Sequence, residues 1–199
     1  MSAGADAADN GGTVSPTDAE PFYREAVATD ADAVGALHAD SWRRNYRGAY
    51  LDSYLDGDVF DDRRAVWRNR LEHPEPGHHT IVAEGDDDIV GFSHTILGHH
   101  PAWGAYLENL HVRHDLRGRG IGRRLMAEAA HVVLRSPPAT GIHLTVLNQN
   151  VAAQGFYRAQ GGTCVEERVA GPFPGGGTAP SLCFAWPDAA TLIGRSAES

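Results

Sequence analysis

The chain has 199 residues, 42% of them hydrophobic, enough for one domain with a substantial core. Its 26 acidic residues outnumber 17 basic ones, and a formal net charge of -9 repels phosphate backbones, which argues against general nucleic-acid binding. Every basic residue is arginine, so lysine Schiff-base chemistry and the Walker phosphate loop are excluded, and two cysteines without CxxC spacing, Cys164 and Cys183, support neither a disulfide framework nor a tetrathiolate metal site.

Residues 1–20 are acidic and rich in Ala, Gly, Ser and Thr, the composition of a disordered tail. They show no basic and apolar leader, and no later run approaches the ~20 apolar residues that span a bilayer. A soluble, cytoplasmic chain with no membrane partner is expected. "FYREAVATDADAVGALHADSW" predicts a strand and then a helix, with Thr29 as its N-cap and Asp32 at the third position. A second helix follows over "VFDDRRAVWRNRL", with Val59, Arg63, Val66, Trp67, Arg70 and Leu71 on one side. "TIVAEGDDDIVGFSHTIL" reads as a hairpin around Gly85 to Asp88, and "AYLENLHV" as a third strand behind the loop "GHHPAWG".

Next comes "DLRGRGIGRRLM", which opens a helix carrying Ile121, Leu125, Met126, Ala129, Val132 and Val133 at helical spacing and ending before Pro137-Pro138. "GIHLTVL" predicts a strand, "NVAAQGFYRAQGG" a short helix closed by glycine, and "TCVEERVAG" and "SLCFAWP" the last two strands. The order describes one mixed α/β domain over residues 21–187, with 188–199 as a C-terminal tail.

The glycine-arginine stretch carries the chemistry. It sits between a strand and a helix, where unpaired N–H groups and the helix dipole favour an anion. Gly118, Gly120 and Gly122 allow close approach to the main chain, and Arg117, Arg119, Arg123 and Arg124 supply charge for a diphosphate. The glycines run GxGxG, which does not fit the dinucleotide GxGxxG spacing, and an RNA-binding RG tract would not open an amphipathic helix.

"RGRGIG" resembles the Q/R-x-x-G-x-G/A signature of the GNAT superfamily of acyl-CoA-dependent N-acyltransferases. "NQNVAAQGFYRAQGG" resembles the later block of that family, and the element order from Phe22 to Pro187 fits it. Within the family, "AYLENLHV" and Phe156-Tyr157 are most similar to the diamine acetyltransferase branch. The resemblance implies a GNAT fold, a central, mixed, mostly antiparallel sheet of about six to seven strands flanked by about four helices. It implies acetyl-CoA as donor, no metal, and a small amine or peptide as acceptor; homodimers are common in the family.

By the same resemblance, the loop residues Arg117, Gly118, Arg119, Gly120, Ile121, Gly122 and Arg123 hold the coenzyme A pyrophosphate, and the backbone of Leu110, His111 and Val112 follows the pantetheine arm. Glu108 is the candidate general base, directly or through water, or else an exposed carboxylate that attracts a cation. Strand alternation puts it on one face with Tyr106, Leu110 and Val112. Tyr157 is the candidate acid for the departing thiolate, or else a packing residue. Asn150 contacts the cofactor or caps the helix after it. His99, His100 and Trp103 contact the acceptor or lie in a solvated loop, and Trp42 and Tyr46 line the acceptor pocket or pack the core. The leading expectation is an N-acetyltransferase working by direct attack in a ternary complex; a non-catalytic acyl-CoA sensor of the same fold is the alternative.

Overall fold

A computed structural model describes residues 20–194 apart from 87, 139, 174 and 175, so most of the expected N-terminal tail and the last five residues lie outside the described residues. In chain order it contains β1 (Phe22–Glu25), α1 (Ala31–Asn45), α2 (Asp52–Asp56), α3 (Val59–Glu72), β2 (His78–Glu84), β3 (Ile89–His100) and β4 (Gly104–Val112). These are followed by α4 (Ile121–Leu134), β5 (Ile142–Leu147), α5 (Val151–Ala159), β6 (Thr163–Ala170), β7 (Ala179–Trp186) and α6 (Ala190–Gly194). The strands form one seven-stranded sheet, ordered β1-β2-β3-β4-β5-β7-β6. Neighbours are antiparallel except β4 and β5.

Three local readings change. Thr29 does not cap α1: it lies in a 3-10 turn at 28–30, and the Asp30 carboxylate instead accepts from Val27 N at 2.8 Å and from Arg24 at 2.7 and 2.9 Å. The ion pair with β1 is the stronger claim on that carboxylate. His99 and His100, expected in a loop, are the end of β3, where His100 still pairs with Gly104. The packed structure also continues past Pro187, since Ala189 and Leu192 are buried in the core beneath α4.

Two layers cover the sheet. On one side α4 buries Ile121, Leu125, Met126, Ala129, Val132 and Val133, the residues picked out by the helical period. Burying a large aliphatic side chain contributes about 1.5–3 kcal/mol, so this stripe fixes the helix on the sheet. On the other side α1 and α3 pack over β3 and β4, with Trp67 and Phe92 fully buried between them. No helix among the described residues is long and apolar enough to cross a membrane.

Two irregularities of β4 shape the centre. It pairs with β5 only at Ala105↔Ile142 and Tyr106↔His143, so from Leu107 onward its β5-facing edge has no strand partner. Toward β3 the register runs Leu107↔Thr95 and then Asn109↔His94, which makes Glu108 a bulge. The bulge reverses the alternation. Tyr106, Glu108, Asn109 and His111 turn toward α1 and α3, while Leu110 and Val112 turn toward α4, against the expected single face.

Candidate active site

The gap between β4 and β5 opens into a cavity of about 540 Å³, within the range of small-molecule sites. One end is the start of α4. Gly118 and Gly120 hold φ of 82° and 84°, a left-handed conformation that costs another residue roughly 1–2 kcal/mol. Gly120 is the N-cap and supplies no side-chain cap, and the first turn holds no acidic residue. The N–H groups of Ile121, Gly122 and Arg123 are therefore unpaired within the helix and point at the cavity mouth. Of the loop residues, Arg117, Gly118, Gly120, Ile121, Gly122 and Arg123 line this end; Arg119 does not. The uncapped helix end and the arginines beside it are electrostatically complementary to an anion.

Leu110, His111 and Val112 form one wall, opposite Leu144, Thr145 and Val146 of β5. Asn150 caps α5, its side chain accepting from Ala153 N at 3.2 Å, and it also lines the cavity. Tyr157 sits deeper, packed against Phe184 and Trp186, with no hydrogen-bond partner for its hydroxyl among the described residues. Burial raises its pKa, followed by the neighbouring Tyr46 and Tyr106, so it remains a neutral O–H donor.

The other end is made by Ser41, Asn45, Tyr46 and Glu108. Glu108 does not project alone. Arg70 of α3 grips its carboxylate with Nη1 and Nη2 at 2.5 and 3.2 Å, and Asn109 Nδ2 donates to it at 2.8 Å. Burial pushes the carboxyl pKa up, but the hydrogen bond and charge of Arg70 outweigh burial and hold it below the ordinary value. Arg70 is itself set by Trp67, whose ring lies 5.2 Å beneath the guanidinium and whose Nε1 donates to His38 Nδ1 at 2.9 Å. Beside them Ser41 Oγ lies 2.8 Å from His111 Nδ1, and burial together with Arg117 pushes His111 down to about 3, which keeps it neutral.

Trp42 does not reach the cavity. It is buried in the α1–α2 core with Arg63 stacked 4.3 Å over its ring. Nor do His99, His100 and Trp103 line it: His100 stacks on Trp103 at 4.3 Å, and His99 Nδ1 lies 3.2 Å from His143 Nε2. Arg70, Ser41 and Asn45 were missed by sequence reading. Arg70 had left one signal, a cation on the packed side of a helix, which requires a buried partner.

The Acetyltransferase (GNAT) family profile matches residues 36–161, from α1 through the glycine-arginine loop to the end of α5. The chain belongs to the GNAT acetyltransferase family. Among solved structures this GNAT chain is similar to the PaiA N-acetyltransferase of Thermoplasma acidophilum in complex with coenzyme A, with TM-score 0.62, 17% identity, and 82% and 96% of the two chains covered. It is similar to Arabidopsis thaliana NAA60 in complex with a bisubstrate analogue (0.62, 17%, 83% and 96%) and to the ribosomal-protein-alanine N-acetyltransferase of Brucella melitensis (0.59, 22%, 83% and 98%). At these identities the likeness is one of fold. No curated protein matches the sequence.

Proposed function

We propose that this GNAT protein transfers an acetyl group from acetyl-CoA to a primary amine of a small molecule or peptide, by direct attack in a ternary complex. One observation carries the reading: a single cavity runs from the anion-binding start of α4, through the β4–β5 gap, to Glu108 and Tyr157. The donor supplies a thioester. The start of α4 fits its diphosphate, because the helix end is uncapped, free of carboxylates and flanked by arginines. The free edge of β4 beside Leu110 offers main-chain groups to the pantetheine arm and an N–H to the thioester carbonyl.

Glu108, held ionised by Arg70, fixes the amine at the gap and orders the water that carries off its proton; a carboxyl of lowered pKa is a weak direct base for an ammonium. Tyr157 gives its phenolic proton to the departing thiolate and regains one from the water that took up the amine's proton, so the products are an acetamide and coenzyme A thiol. Cys164 and Cys183 lie on β6 and β7, outside the cavity lining, so neither is placed to carry the acyl group.

The test is amine-dependent thiol release from acetyl-CoA across amino acids, polyamines, aminoglycosides and peptides, with the acetylated product identified by mass. Turnover of at least one amine supports the reading. Tight coenzyme A binding with no turnover of any amine overturns it in favour of an acyl-CoA sensor.

A further inference from the structure

The sheet face that carries Glu108 does not stop at the cavity. Tyr106 and His143 pair across β4 and β5, and two residues further along each strand come Glu108 and Thr145. The same face continues through Cys183 and Ser181 of β7 to Glu166 and Arg168 of β6. Thr145 lines the cavity, and the Arg168 guanidinium donates to its hydroxyl.

Arg168 stands out among the arginines on this side. Arg47, Arg63 and Arg70 each meet a carboxylate, whereas Arg168 has none within ion-pair distance among the described residues, Glu166 included. Besides Thr145, Cys183, Ser181 and Glu166, imidazoles and aromatic rings gather there. His99 stacks on Tyr106 at 4.6 Å and turns Nδ1 to His143 Nε2, which leaves its Nε2 without a partner among the described residues. His143 lies 5.1 Å from both the His99 and the Tyr106 rings. Burial first, then His99 and His100, push His143 down to about 4, so the fixed positive charge of this face is that of Arg168, which Glu166 on the same strand does not pair.

We propose that the acceptor carries a carboxylate, which binds Arg168 with His99 beside it, while its amine lies at Glu108. This deepens the acetyltransferase reading and rests on it. A partly buried guanidinium lacking a carboxylate is complementary to one planar anion, which its paired N–H groups hold in two prongs. Arg70 already balances Glu108, so the acceptor end has no net negative charge that would select a dication. Arg168 reaches across to Thr145, and Thr145 and Glu108 stand at matching positions of the neighbouring strands β5 and β4, two residues beyond the Tyr106–His143 pair, so the two ends suit a molecule of amino-acid size.

The experiment uses the full chain with saturating acetyl-CoA and matched sets: L-amino acids, their carboxamides, and the amines that lack the carboxyl group. The acid should be preferred over its amide at least tenfold in kcat/KM. In Arg168→Gln that ratio should fall to near one, and in Arg168→Lys, which keeps the charge, it should stay above the Gln value. Equal use of acid and amide, or an unchanged ratio in Arg168→Gln, overturns the proposal and leaves the acetyltransferase reading intact. If no amine is acetylated, the carboxylate site is still read directly from the His99 ring resonances during titration with N-acetylglycine, with N-acetylglycinamide as control. A saturating shift for the acid alone, lost in Arg168→Gln, supports the site; the same response to both compounds overturns it.

Discussion

The two ends of the cavity are built on different principles. The donor end is made mostly of backbone: left-handed glycines, an uncapped helix start and the unpaired edge of β4. The acceptor end is made of side chains from distant parts of the chain: Arg70 on Glu108, Trp67 under Arg70, and Arg168 on Thr145. Backbone sites bind what every member of a family shares, because main-chain geometry survives most substitutions. Side-chain sites differ from chain to chain, and in the proposed reaction that end sets the acceptor.

The contrast extends to stability, where the largest effect is expected. Four neutral imidazoles, His38, His94, His111 and His143, lie on the acceptor side of the sheet. Burial holds His94 and His143 at about 4, against an unfolded value of about 6.5. Between those values the unfolded chain binds protons that the folded chain does not, so stability is full above pH 6.5 and falls as pH drops toward 4. The loss over that window is of the order of a few kcal/mol for the two groups together. Thermal unfolding from pH 8 to pH 4 should show a steep fall in Tm beginning near pH 6.5, with hydrogen exchange on β3 and β5 accelerating before that on α4. A flat Tm down to pH 5 would show that these histidines are not buried in neutral form.

Where the two ends meet, Tyr157→Phe should lower kcat about 100-fold, the low end of general acid catalysis, with little change in the KM for acetyl-CoA. An unchanged kcat near neutral pH would remove Tyr157 from the chemistry. At the donor end, Gly120→Asp combines left-handed strain with a carboxylate at the helix start, and should weaken coenzyme A binding about 10- to 100-fold. The smallest effect is expected from Arg70→Gln, about tenfold in kcat/KM. Without Arg70, burial is opposed only by the weaker influence of His94 and the Asn109 hydrogen bond, so the Glu108 pKa rises and the acid limb of the pH profile should move to higher pH. An acid limb that stays put would mean that Arg70 does not govern Glu108.

The same division explains what could be read in the sequence. The glycine spacing of Arg117 to Gly122, the helical stripe on α4 and the Asn150 block are local patterns, and each encodes its own conformation. The Arg70–Glu108 pair joins residues 38 apart on a helix and a strand, and no pattern of either element fixes the other. The bulge at Glu108 was equally hidden. Strand alternation predicts Leu110 and Val112 beside Glu108, and one extra residue in the register sends them to the opposite face. His99 and His100 looked like loop residues because Gly98 precedes them, yet β3 runs on to pair His100 with Gly104. The likeness to diamine acetyltransferases rested on Tyr-Leu-Glu in β4 and the Phe-Tyr pair, but a glutamate already balanced by an arginine gives no reason to expect a dication.

Calorimetric titration of coenzyme A into the wild type, Gly120→Asp and Arg70→Gln tests the division between the two ends most directly. A 10- to 100-fold rise in Kd for Gly120→Asp, with Arg70→Gln within about threefold of the wild type, is the predicted result. Equal losses in both variants, or a loss confined to Arg70→Gln, would contradict it.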